Sequence, residues 1–196
     1  MYKTLSFFVL LLLFACGGAD QEAKKYSIGQ IETPQGEMLF WLYDETPKHK
    51  ESFLELAKGN YWDTLTFNRV VNGFVIQGGC PDTPEGFSDS PYLLEPEFKD
   101  DIKHTYGALG AGRDDNPGKL SAGCQLYIVQ NKEGIPRLDG NYMIFGQLFK
   151  GFDVLEAIAA VETDSLDKPF TDVPMSVSVL SLTAAELATK GYEVKE

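Results

Sequence analysis

Positive charge is scarce in this sequence. Lysine and arginine total 17 against 29 aspartates and glutamates, giving a formal net charge of −12. Such a chain repels phosphate backbones and anionic headgroups alike, so nucleic-acid partners and adhesion through a broad basic face are not expected. Histidine is scarcer still, with only His49 and His104. His49 lies on a helical stretch between Lys48 and Lys50 and reads as exposed, while His104 precedes a strand with no partner motif. Neither reads as catalytic. The three cysteines have no histidine near them in the pattern of a ligand set, so no metal is expected. There is no internal repeat and no long low-complexity tract. The apolar run Leu5 to Phe14 is too short to span a bilayer comfortably as a helix.

That run has another use. Lys3 supplies a weak positive start, and the apolar stretch has the length of a signal-peptide core. It ends in Leu13-Phe14-Ala15-Cys16 followed by Gly17-Gly18, which resembles the lipobox of bacterial lipoproteins. The resemblance implies a signal peptide over 1–15, an acylated Cys16 as first mature residue, and a flexible tether over 16–25. An ordinary signal peptide cleaved near Ala19 is the alternative. Either way the folded part works outside the cytoplasm, and Gly17 in place of aspartate is compatible with outer-membrane sorting on the periplasmic side. Cys80 and Cys124 remain, an even pair in an exported chain, readable as a disulfide or as two small buried thiols.

What is present beyond the tether is aromatic and finely segmented. Hydrophobic residues make up 43% and aromatics 12%, enough for one core. Tyr26–Ile31 and Glu37–Tyr43 read as strands around a Thr33-Pro34-Gln35-Gly36 turn. Thr46-Pro47 opens a helix as N-cap and first residue, and Gly59-Asn60 closes it. Short strands are expected at Thr66–Val71, Phe74–Gln77, Tyr106–Leu109, Leu126–Gln130, Met143–Leu148 and Met175–Leu182, with a second helix over Phe152–Ala160. A domain over 26–182 that is mainly β, an antiparallel barrel capped by two α-helices, fits this pattern, with a helix-forming C-terminal tail over 183–196.

The chemically informative stretch runs from Phe67 to Gly79. With period-two alternation Phe67 and Arg69 share a strand face, Gly73 turns the chain, and Gly78-Gly79 lets the backbone pass close beneath something. A cation, an aromatic ring and an amide (Arg69, Phe74, Gln77) then meet around one concavity.

Phe67-Asn68-Arg69-Val70-Val71-Asn72-Gly73-Phe74-Val75-Ile76-Gln77-Gly78-Gly79 resembles the cyclophilin signature. The likeness continues in order through Gly107–Arg113, Ser121–Ile128 and Leu138–Gly146. It implies an eight-stranded antiparallel β-barrel and peptidyl-prolyl cis-trans isomerase (rotamase) activity without cofactor. Arg69 matches the family's catalytic arginine, with Phe74 and Gln77 beside it. Phe74 and Tyr127 match the floor of a proline pocket and Val75 and Leu138 its sides. Gln77 and Gln125 match groups that hold the substrate backbone, Gly112 and Arg113 a segment that pairs with it, and Tyr142 a position often held by histidine.

Several positions depart from the family pattern. Arg137 stands where some members have a tryptophan that contributes to cyclosporin binding, which implies weak drug affinity. Asn68 and Tyr142 replace frequent histidines, and Gly112 replaces a commoner alanine, which could loosen the substrate-backbone contact. Cys80 and Cys124 replace a common acidic residue and a common serine on segments that flank one cleft in the family fold, so a bridge bracing its wall is expected. The expected function is isomerisation of X–Pro bonds in exported polypeptides by a monomer. The alternative is a catalytically weak proline-binding chaperone on the same fold.

Overall fold

A computed structural model describes residues 23–81 and 92–194; the expected signal peptide, Cys16 and most of the tether lie outside the described residues. Strands β1 (Lys25–Thr33) and β2 (Gly36–Leu42) form the first hairpin, turning where Pro34 and Gly36 indicated. Helix α1 (Pro47–Lys58) follows. Then come β3 (Arg69–Val71), β4 (Val75–Gly79), β5 (Leu93–Leu94), β6 (Ala108–Ala111), β7 (Ser121–Ala122) and β8 (Gln125–Val129). A 3₁₀ turn at Pro136–Leu138 leads to β9 (Met143–Lys150), α2 (Phe152–Ala159), β10 (Ser176–Thr183) and α3 (Ala184–Thr189).

Eight strands join in the order β10-β1-β2-β9-β6-β8-β4-β3, each pair antiparallel. The expected eight antiparallel strands form, but their sheet is not closed into a full barrel. Among the described residues no ladder joins β3 to β10, and the segments just before these end strands meet through the isolated bridge Thr66↔Pro174 and bonds such as Phe67 N–H to Val173 O, 2.9 Å. Pro174 has no N–H to donate and interrupts any ladder there. The two short strands β5 and β7 pair separately, and residues this short carry no alternation by which sequence could reveal them.

Helix α1 shows why its boundaries were legible and its cap was not. The Thr46 hydroxyl makes no cap bond and donates instead to Tyr43 O at 3.4 Å. The free N–H groups of Lys48 and His49 are taken by the Glu97 carboxylate, 3.1 Å from each. A distant carboxylate here satisfies orphan donors and complements the helix dipole. His49 is consequently drawn inside, 2% exposed, contrary to the surface position its lysine neighbours suggested. Its Nδ1 lies 2.7 Å from Glu97.

Alternation divides the interior in two. Val70, Ile76, Leu126 and Ile128 join Phe40, Phe53, Trp62 and Phe145 in the main core. Val75, Tyr127 and Val129, pointing to the other face, join Ile144 and Ile135 in a smaller cluster topped by Phe74, Leu138 and Tyr142. Hence β8 is buried along its whole length. The tail, expected to form helix, supplies a third α-helix among the described residues beside the two expected as barrel caps. Thr183 and Glu186 form a reciprocal capping box on α3, and fully buried Leu187 packs with Ile28 and Leu39, a burial of about 1.5–3 kcal/mol.

Candidate active site

Strand register places the candidate groups before any side-chain detail is considered. Arg69 on β3 is paired with Gln77 on β4, and Gln77 with Tyr127 on β8, so the three lie in a line across the sheet on one face. Val75 and Gln125 share that face by the period of two. The close approaches that allow this explain two glycines. A Cβ on Gly78 would meet Thr66 O at 2.6 Å and the Phe67 Cα at 2.8 Å; one on Gly79 (φ 92°) would strike Cys124 O.

One open cleft collects every residue the sequence singled out in this domain for substrate or catalysis. Phe74, Val75, Tyr127 and Leu138 give its apolar part, and Arg69, Gln77 and Gln125 its polar wall. Gly112, Arg113 and Tyr142 complete it, and Arg137 joins them. Arg69 donates from one terminal nitrogen to Gln77 Oε1 at 3.2 Å and from the other to Asp167 Oδ2 at 3.3 Å. Gln77 Nε2 donates to Gln125 Oε1 at 2.8 Å, and Gln125 Nε2 to Cys80 O at 3.0 Å. The guanidinium therefore stands at the end of a chain of oriented amides.

The missing side chain of Gly112 is the space that the Gln125 carboxamide fills, since a Cβ would collide with Oε1. Cys80 and Cys124 are joined as a disulfide with Cα atoms 5.4 Å apart. The bridge flanks Gln125, and Trp62 Nε1 donates to Cys124 O at 3.0 Å behind it.

Sequence reasoning missed two parts of the surroundings. Asp167, with φ 64°, sits 98 residues from Arg69 in a turn where Asp164 Oδ1 accepts from Leu166 and Lys168 N–H, and its own carbonyl accepts from Val70 N–H at 2.8 Å. No local motif announces such a pairing. The second is His104, set aside for lack of a partner. Its Nδ1 lies 2.8 Å from Asp139 Oδ1 and its Nε2 2.8 Å from the Tyr127 hydroxyl. Burial holds His104 below its ordinary pKa against the pull of Asp139. The neutral ring then donates from Nδ1 to the carboxylate and accepts the Tyr127 proton at Nε2, while Met143 O lies 3.0 Å from the same hydroxyl. Gly110 makes room for that hydroxyl, because a Cβ there would strike it. A tyrosine on a pocket floor needs a buried partner for its O–H, and that need was the available signal.

The comparisons with known proteins converge on one family. The description "Cyclophilin type peptidyl-prolyl cis-trans isomerase/CLD" matches residues 28–179. A Staphylococcus haemolyticus protein provisionally named peptidyl-prolyl cis-trans isomerase is 35% identical over 172 residues, 73% of this chain and 85% of that one. A Staphylococcus aureus relative with the same provisional name is 34% identical over 172 residues, covering 73% and 86%. The fold also matches a Cryptosporidium parvum cyclophilin-type isomerase, solved in the presence of the dipeptide Ala-Pro. That match has a TM-score of 0.71 at 27% identity and covers 79% of this chain and 99% of that one. The chain belongs to the cyclophilin-type peptidyl-prolyl cis-trans isomerases. It is an enzyme that interconverts the two isomers of X–Pro bonds.

The buried histidines set a pH dependence. Burial lowers the pKa of both His49 and His104, so just below the ordinary value of 6.5 the unfolded chain binds more protons than the folded one. Stability must then rise with pH across that window and fall as pH drops through it. Glu97 and Asp139, held below their ordinary values by the histidine and backbone bonds that outweigh their burial, extend the loss to lower pH. The urea midpoint at pH 5 is predicted to lie below that at pH 7; an unchanged or higher midpoint would contradict the buried-neutral assignment.

Proposed function

We propose that Arg69 catalyses X–Pro rotation by hydrogen bonding to the prolyl nitrogen during the folding of exported proteins. The bond resists rotation because lone-pair resonance makes it partly double, with a barrier of roughly 18–20 kcal/mol. Twisting localises the lone pair on a pyramidal nitrogen, which becomes a hydrogen-bond acceptor only then. A donor aimed at that atom stabilises the twisted state over both planar ones. The single observation that carries this reading is the fixation of Arg69 between Gln77 and Asp167 beside the aromatic floor. Two terminal nitrogens are anchored, and the rigid five-donor fork retains N–H groups for substrate.

The remaining roles follow from position. Phe74 and Tyr127, with Val75 and Leu138, receive the proline ring. The substrate backbone lies along Gly112–Arg113 and Gln125, and Tyr142 closes the rim. No covalent intermediate is formed, and no group needs to change protonation. Proline-containing polypeptides are the substrates, a reading supported by the Ala-Pro dipeptide present with the Cryptosporidium parvum relative.

In a protease-free peptide assay, Arg69→Ala is predicted to lower kcat/KM by about 10²–10³-fold. Arg69→Lys, which keeps the charge but loses the fork, is predicted to recover little of it. Wild-type rates in both variants would remove Arg69 from the mechanism.

The cellular setting rests on the first 25 residues. Acylation of Cys16 would tether the domain to the envelope membrane, on the periplasmic side of the outer membrane in a diderm cell. Cys16→Ser is predicted to move the protein from the membrane to the soluble fraction; retention in the membrane fraction would refute the lipid anchor.

A further inference from the structure

The charge of the cleft is opposite to that of the chain. The protein carries a net charge of −12, yet among the described residues three arginines and no acidic residue line the site. One of them, Arg69, is compensated by Asp167 at 3.3 Å. Among the described residues the other two form no ion pair. Arg113 donates from Nε to Asn141 O at 2.9 Å, and from its terminal nitrogens to Asp114 O at 2.7 Å and Asn141 Oδ1 at 3.0 Å, all neutral acceptors. Its guanidinium lies 4.6 Å over the Tyr142 ring. Arg137 lies 4.9 Å over the Phe74 ring, and among the described residues it makes neither an ion pair nor a hydrogen bond. Among the described residues neither arginine has an acid as an ion-pair partner, and Asp139 faces His104 and Lys103.

A guanidinium held over an aromatic face keeps its in-plane N–H groups as donors. Arg137 has all of its N–H groups unspent among the described residues, and Arg113, with three donated to neutral acceptors, retains one on each terminal nitrogen. Both stand at the cleft with the apolar floor, where a carboxylate on a residue adjacent to a bound proline would offer a matching acceptor fork.

We propose that this site selects proline bonds flanked by an acidic residue, with Arg113 and Arg137 as the selecting groups. The inference rests on the catalytic reading of the same cleft. A lysine or arginine flanking the proline would meet like charge, so discrimination has an attractive and a repulsive half. The contact is partly solvated, which limits its size and makes it sensitive to salt.

The test compares short peptides with Glu, Ala or Lys immediately before the proline, and a second series with the same residues immediately after it. At low ionic strength kcat/KM for Glu is expected to exceed that for Lys by about fivefold in at least one series, with Ala between. The ratio is expected to shrink towards one in Arg137→Gln or Arg113→Gln, and in wild type at about 1 M salt, where the Debye length is about 3 Å. Turnover of all peptides at equal rates, or a preference for Lys, would overturn the proposal and leave the catalytic reading standing. A preference that survives both substitutions would also overturn it. Absence of turnover with every peptide would bring down both.

Discussion

The site depends on one register. Arg69, Gln77 and Tyr127 are successive cross-strand neighbours on β3, β4 and β8, so cation, amide and pocket floor are set in line by backbone hydrogen bonds alone. A slip of one residue would send all three to the main core and bring Val70, Ile76 and Ile128 to the cleft. That slip would bury a guanidinium and expose three fully or nearly fully buried side chains, so core and active site are specified by the same alternation. The register in turn requires the backbone to pass close under Gly78 and Gly79, where no side chain fits.

On that frame the polar wall is a directional chain of donors that starts at Arg69, which donates to both Asp167 and Gln77, and runs on from Gln77 to Gln125 and from Gln125 to Cys80 O. Each amide offers its oxygen to one neighbour and its N–H₂ to the next, which fixes both amide orientations. Preorganisation of this kind places a donor without reorganisation at the moment of reaction. The Cys80–Cys124 bridge holds the far end, and the His104–Asp139 pair holds the tyrosine on the floor. Arg113 and Arg137 stand outside this chain and add charge without taking part in it.

What was legible in the sequence was whatever repeats locally. The strand pattern, the Thr46-Pro47 helix start, the Gly78-Gly79 passage and the cleft residues from Arg69 to Tyr142 could be read from alternation and ordered motifs. What was not legible involves partners far apart in the chain. Glu97 caps α1 from 49 residues beyond Lys48, and that contact is why His49 is inside rather than out. Asp139 finds His104 across 35 residues, and Asp167 finds Arg69 across 98. The openness of the sheet turned on Pro174 at its seam, and the packing of the helix-forming tail on a capping box and one leucine.

The central claim is that Gln77 matters through Arg69. A double-mutant cycle on kcat/KM measures this directly, with Arg69→Ala, Gln77→Ala and the combined variant in the same peptide assay. If Gln77 positions the guanidinium, removing it from an enzyme that already lacks Arg69 costs little further, and the two losses fall well short of adding. Full additivity of the two losses would contradict the account.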